Sequence, residues 1–306
     1  MENFLGIDIG GTNLKMAIVN SEGSISDLNK VATETLRSQG SFVQNLLPVI
    51  SSKLDKYPDI NKIGIGFPGT LSKDRHTTLE LPAIPQLNGV NVMQALKAKF
   101  PGKTFHLEND ANAAALGEYF FPKDGKKLPD NFIFVTMGTG IGGAAIIDGK
   151  IFKGGDGNGM EIGHIFSRNS KLLEKNIGKQ GIINMARVFL QDHTGDKKAY
   201  DNAELSSGDL VLAAVNGDNI ALKVFETVGQ ILGEALVSII RVLDIKTIII
   251  GGGLSASFDF IIKSLKEVLN EHLTPYYTKE IFIKRATLAN QAGIIGAASL
   301  CFQKEN

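Results

Sequence analysis

The stretch around Met137 limits the fold more than any other. An apolar run, Phe132 to Thr136, enters Met137-Gly-Thr-Gly-Ile-Gly-Gly143, and a second apolar run leaves it toward an Asp148-Gly149 tip. Apolar runs broken by glycine predict strand, tight turn, strand and turn again. Gly138, Gly140, Gly142 and Gly143 carry no side chain, so the backbone there can approach another group closely. Successive N–H groups and the Thr139 hydroxyl then suit phosphate oxygens. Taken alone, the stretch is equally a plain hairpin, because short glycine patterns are weak signals.

The same device opens the chain. Phe4 to Ile9 predicts a buried strand, Gly10 to Asn13 a turn, and Leu14 to Val19 the antiparallel partner, with a third strand over Ile25 to Thr35. Helical spacing runs from Ser41 to Tyr57, where Pro48 is expected to kink or split the helix. Ile63 to Phe67 is a short strand ending at Pro68-Gly69, and Thr70 to Asn91 reads as an extended loop. A helix over Val92 to Phe100 and a strand over Thr104 to Leu107 lead to Glu108-Asn-Asp110 and a helix of good formers from Ala111 to Tyr119. Pro122 to Asp130 is polar and punctuated, which places a domain boundary there. Beyond it, Gly154 to Gly159 reads as flexible, and helices are expected over Gly181 to Thr194, Asp209 to Asn216, Ile220 to Leu243 and Phe258 to His272. Strands at Lys246 to Ile250 and Ile281 to Ile283 and a small-residue helix from Gly293 to Cys301 complete the pattern. Strands alternating with helices predict an α/β fold in two halves.

Bulk properties narrow the partners. The 306 residues suffice for two domains, each with its own core. Basic and acidic residues balance at 32 each, which gives no electrostatic footprint for nucleic acid or an anionic membrane. Cys301 is the only cysteine, so no intramolecular disulfide or multi-cysteine zinc site can form. With no signal-like or membrane-spanning run, the expected location is the cytoplasm.

Three glycine turns stand in order: Asp8-Ile-Gly-Gly-Thr-Asn13, Gly138-Thr-Gly-Ile-Gly-Gly143 and Gly251-Gly-Gly-Leu-Ser255. Their order resembles the two phosphate motifs and the adenosine motif of the actin, hexokinase and Hsp70-like ATPases. With Phe67-Pro-Gly69, Glu108-Asn-Asp-Ala-Asn-Ala-Ala-Ala-Leu-Gly-Glu118 and Glu161-Ile-Gly-His164, nearly the whole chain resembles the ROK family of sugar kinases and repressors. The resemblance implies two ribonuclease-H-like domains around a central cleft, residues 1–121 with 290–306 and residues 122–289. It also implies ATP and Mg²⁺ as cofactors, a sugar as substrate, and a homodimer or larger homo-oligomer.

Phosphoryl transfer needs a positioned hydroxyl, a base near it, and N–H or cationic groups on the phosphates. Asp110 matches the family's general base, although Asp before a helix is also a good cap. Asn109, with a donor and an acceptor, and Glu161 and His164, three apart, match sugar-binding positions; an isolated histidine is more often a satisfied buried one. Gly69 of the Phe67-Pro-Gly69 hallmark is expected at the substrate, and Gln86 falls near a usual sugar-contacting asparagine. Asp8 suits Mg²⁺ directly or through water. Gly10, Gly11, Thr12 and Asn13, with Gly138, Thr139 and Gly140, are expected at the phosphates. Lys15 either adds charge there or is a solvated lysine. Gly252 and Gly253 are expected under the adenosine, or else serve a tight strand-to-helix turn.

The sequence departs from the family after His164. Most members place there three cysteines that bind a structural zinc with the histidine. Here the corresponding stretch looks like Lys175 to Asn184, with Lys175, Ile177 and Ile182 at the cysteine positions, so no zinc site is expected. Asn184 falls where the family has a sugar-binding glutamate. The expected activity is ATP-dependent phosphorylation of a hexose 6-hydroxyl, of glucose or an N-acetylated amino sugar. A polyphosphate donor and a catalytically silent sugar binder remain alternatives. A repressor is disfavoured because family repressors carry a helix-turn-helix domain before the first strand.

Overall fold

The computed structural model describes residues 2–38, 40–191, 200 and 205–302. Its strands are β1 (Asn3–Ile9), β2 (Asn13–Asn20), β3 (Ile25–Ala32), β4 (Lys62–Phe67), β5 (Thr77–Thr78), β6 (Val90–Asn91), β7 (Thr104–Asn109), β8 (Phe132–Met137), β9 (Ile141–Ile147), β10 (Lys150–Ile151), β11 (Thr247–Gly251) and β12 (Phe282–Arg285). The helices are α1 (Thr33–Arg37), α2 (Phe42–Lys56), α3 (Val92–Lys99), α4 (Asp110–Phe120), α5 (Leu173–Ile177), α6 (Lys179–Gln191), α7 (Ser207–Val215), α8 (Asn219–Leu243), α9 (Phe258–His272), α10 (Pro275–Thr278) and α11 (Ala292–Ser299). None of these is long and apolar enough to cross a membrane.

One five-stranded sheet has the order β3-β2-β1-β4-β7 and a second the order β10-β9-β8-β11-β12, while β5 and β6 pair on their own within the expected loop from Thr70 to Asn91. Numbered within each half, both read 3-2-1-4-5, so the duplicated glycine turns belong to a duplicated sheet topology. Each turn follows the first strand of its sheet. Packing groups Met1–Asp130, Ala144–Met160 and Thr287–Asn306 into one compact unit, and Asn131–Gly143 with Glu161–Ala286 into a second. This division differs from the expected boundaries after residues 121 and 289: it starts the second unit at Asn131 and returns β10 and most of β9 to the first.

In the first unit, β1 pairs antiparallel with β2 and parallel with β4, and β4 pairs parallel with β7. The two-residue period of β1 sends Leu5, Ile7 and Ile9 into a core with Leu46, Ile50 and Leu54 of α2 and Leu96 of α3. Phe4 faces the other way, against Ile294 and Ala298 of α11. Gly6, Gly64 and Gly296 allow that second layer. A Cβ on Gly6 would run into Ile294 O, one on Gly64 into Ala297 O, and one on Gly296 into Ala113 O of α4. Gly64→Ala therefore overpacks a fixed backbone contact and should cost about 1–3 kcal/mol. Urea unfolding should show a lower midpoint at an unchanged slope.

Two local expectations are corrected. Pro48 does not split α2, which runs through it as one element of 15 residues. The third strand stops at Ala32, not Thr35, because Thr33 turns back: its N–H donates to Thr12 O at 2.9 Å and its hydroxyl to Gly10 O at 2.6 Å. These bonds start α1 and pin the first glycine turn. In the second unit α8 packs closely on α9. A Cβ on Gly229 would strike Ile261 O, and one on Gly233 would lie 2.9 Å from Val268 Cβ. Cys301 is buried, and burial pushes its thiol up to about 12, which leaves it protonated and unreactive.

Candidate active site

The first unit carries one set of candidate residues where β1, β4 and β7 end together. Asp8, Gly66 and Glu108 occupy one register row across the three strands. Asp8 and Glu108 are thus about 10 Å apart at their backbones, two strand spacings. Asp8 points to the α11 side, where a Cβ on Gly293 would collide with its carboxylate. Burial raises its pKa, and Lys15, its register partner with Nζ at 3.9 Å, opposes the rise. Lys15 stands beside Asp8 with its side chain about a third exposed.

Asn109 and Asp110 divide two tasks that the sequence left open. Asn109 is the cap of α4: its Oδ1 accepts from Ala111 N at 2.8 Å and Asn112 N at 3.2 Å. Its Nδ2 donates to Gly69 O at 3.1 Å, so Asn109 binds its own backbone surroundings through both ends. Asp110 is the first helical residue, half-buried, with Oδ1 accepting from Ala111 N at 2.8 Å. Capping is thus supplied next door, and Asp110 is not required for it. Gly69 adopts φ +149, and a Cβ there would collide with Glu80 O. Gln86 stands exposed on a 3-10 turn, Pro85–Leu87.

The glycine turns supply fewer donors than their spacing suggests. Gly10 N–H is spent on Asn13 O at 3.0 Å, and Gly138 N–H on Gly140 O at 2.9 Å. Among the described residues, the N–H groups of Gly11, Thr12, Thr139 and Gly140 have no protein acceptor. The second turn rests on the junction of α5 and α6: Lys179 N donates to Gly138 O at 3.0 Å, and a Cβ on Gly178 would lie 2.9 Å from Thr139 O. Of the third turn, Gly252 has a packing reason. It adopts φ +83, and a Cβ there would lie 2.7 Å from Met137 N and Thr136 Oγ1. Gly253 faces open space.

Glu161 and His164 flank a 3-10 turn, Ile162–His164, which packs on β9 through Gly163, where a Cβ would hit Ile141 O. His164 Nδ1 lies 3.7 Å from Glu161 Oε2, and both side chains are about half exposed, so His164 is not a buried core histidine. Burial raises the Glu161 pKa, His164 opposes this, and Glu174 adds to it. Glu174 was not recognised from the sequence. Its Oε2 would lie 2.7 Å from a Cβ on Gly140, which puts it against the second glycine turn as well as near Glu161.

Asn184, expected at the position of a sugar-binding acid, is instead exposed on α6 and accepts from Gln180 Nε2 at 2.9 Å. The acid that acts on Glu161 is Glu174, in α5. Ile177 and Ile182, expected in place of zinc-binding cysteines, are fully buried apolar contacts of α5 and α6.

The chain belongs to the ROK family, whose model matches residues 4–304. Glucokinase of Thermotoga maritima is 30% identical over 318 aligned residues, covering 97% of this chain and 96% of its own. Among solved structures, a candidate sugar kinase from Cytophaga hutchinsonii is 39% identical at a TM-score of 0.92, covering 98% of this chain and 100% of its own. A ROK family glucokinase from Streptomyces griseus, in complex with glucose and AMPPNP, is 26% identical at a TM-score of 0.80, covering 99% and 100%. The expected α/β architecture of two actin-like ATPase halves is borne out by these neighbours and by the doubled strand order.

Proposed function

We infer that this protein is a sugar kinase that transfers the γ-phosphoryl group of ATP to the 6-hydroxyl of a hexose, glucose or an N-acetylated amino sugar. The observation that carries this reading is the end of β7, where Asn109 caps α4 and the carboxylate of Asp110 opens the helix, in the same unit as Asp8 at the end of β1, two strands away. Membership of the ROK family and a relative solved with glucose and AMPPNP support it. Asp110 accepts the proton of the sugar hydroxyl as its oxygen attacks the γ-phosphorus and the bond to ADP breaks. Glu161, His164 and Glu174 hold sugar hydroxyls, with the carboxylates as acceptors. The N–H groups of Gly11, Thr12, Thr139 and Gly140 receive phosphate oxygens, and Gly253 lies beneath the adenosine.

Asp8 fits a Mg²⁺ ion that travels with the nucleotide. The ion needs one or two carboxylates beside phosphate and water, and Asp8 offers one, partly exposed, at a strand end. When bound, Mg²⁺ neutralises charge on the transferring phosphates. No group of three or more His, Cys, Asp or Glu side chains able to hold a metal occurs among the described residues.

A coupled assay with ATP, Mg²⁺ and a panel of hexoses tests the reading, and ADP release with none of them would refute it. Thr139→Val should raise the KM for ATP about 3–10-fold, the value of one hydrogen bond, and leave the KM for sugar unchanged. Equal effects on both would remove Thr139 from the phosphate site.

A further inference from the structure

Behind Asn109 lies a buried ion pair. Arg75 and Glu108 are 7% and 2% exposed. Arg75 Nε meets Glu108 Oε2 at 3.0 Å and Nη2 meets Oε1 at 3.0 Å, a two-pronged fork. No other ion pair among the described residues has both side chains under a tenth exposed. The remaining guanidinium donors reach Gly157 O and, at 3.3 Å, Ser72 O. Glu108 uses Oε1 again: it accepts from Asn109 N at 2.9 Å and from Asn112 Nδ2 at 3.1 Å. The fork therefore grips a carboxylate whose other contacts are the entry peptide and first turn of α4, on either side of Asp110.

The local backbone is arranged for this grip. Arg75 adopts φ +59, a conformation that disfavours side chains, within a turn closed by its N–H on Ser72 O at 2.8 Å. Gly157, at φ +101, has no room for a Cβ, which would lie 2.7 Å from Arg75 Nη1. Asn158 clips the same loop to Leu71, donating to Leu71 O at 2.9 Å and accepting from Leu71 N at 3.0 Å. The segment 154–159, expected to be flexible, is thus tied to the 70–78 loop through Gly157 and Asn158.

We propose that Arg75 is a positioning residue for phosphoryl transfer: acting through Glu108, it sets the geometry in which Asn109 and Asp110 enter α4. The proposal rests on the sugar kinase reading for its consequence and on the hydrogen-bond geometry for its cause. A buried pair of this kind contributes little net stability over an apolar replacement, so stability alone gives no reason for it. Misplacing a reacting group by about 1 Å, in contrast, costs on the order of 10²-fold in rate.

The test uses two variants, because Arg75→Met alone leaves a buried carboxylate and can fail to fold. The double variant Arg75→Met/Glu108→Gln removes both charges, and Arg75→Lys keeps the charge without the fork. Thermal unfolding, kcat, the Kd for ATP by calorimetry, and amide hydrogen exchange of Asn109 to Asn112 are measured on each. The double variant should stay folded and bind ATP within about twofold of wild type. Its kcat should fall by about 10–100-fold, and exchange at the start of α4 should quicken while β4 stays protected. Arg75→Lys should fall between the two.

Wild-type exchange protection of Asn109 to Asn112 in the double variant overturns the proposal whatever the activity. A double-variant kcat within about threefold of wild type overturns it as well. If wild type phosphorylates no hexose, the functional reading fails, and the exchange measurement still decides whether the pair orders α4.

Discussion

Asp110→Asn should lower kcat by about 10²–10⁴-fold while the sugar still binds, the range contributed by a positioned general base. The substitution is nearly isosteric and keeps an oxygen to accept from Ala111 N, so the start of α4 is unchanged. Asn109 caps the helix independently, and stability should shift by less than about 0.5 kcal/mol. What is lost at the reacting hydroxyl is the capacity to take a proton. If Asp110→Asn, folded by its melt, retained kcat within tenfold, Asp110 would not be the base; activity lost with the fold would be a stability effect instead. Steady-state kinetics with a thermal melt on the same sample separates these outcomes.

Glu161→Gln should raise the KM for sugar about 10–150-fold, the worth of a hydrogen bond to a charged acceptor at about 1.5–3 kcal/mol. The pH dependence follows from its environment. Burial raises its pKa, Glu174 pushes the same way, and His164 opposes. The ionised carboxylate is the acceptor, so affinity is full above this raised pKa and is lost as pH falls through it. The KM for sugar in wild type should therefore climb on the acid side at a higher pH than an ordinary glutamate would give. The Gln variant, with nothing to titrate at 161, should lose that limb. An unchanged limb would assign it to another group, and Glu174→Gln would be the next variant to measure.

The repeat of an apolar strand, a small-residue turn and a second apolar strand was legible because glycine and strand period are local signals. The doubled 3-2-1-4-5 sheet follows from it. Asp110 was legible as a candidate but not as distinct from a cap, since capping depends on which side chain reaches the first helical N–H groups: Asn109 reaches Ala111 and Asn112, and Asp110 only Ala111.

Other features depend on distant contacts. Glu174 lies in α5, a helix of five residues that is too short to show a period, and its role appears only beside Glu161 and Gly140. Asn184, expected from the family correspondence, is exposed on α6 and bonded to Gln180. Gly252 looked like a ligand glycine, yet its backbone angle and its contact with Met137 already require it. Arg75 sits in an aperiodic loop 33 residues from its partner, and nothing in an arginine's local sequence indicates that it will be buried.

The most direct measurement of the central claim is phosphorus NMR of a reaction containing the wild-type protein, ATP, Mg²⁺ and a single hexose, repeated over the panel. The account predicts that ADP and a hexose 6-phosphate appear in equal amounts for at least one sugar, and that Asp110→Asn forms neither at a comparable rate. ATP that stays intact with every sugar, or hydrolysis to ADP and inorganic phosphate with no sugar phosphate, would contradict it.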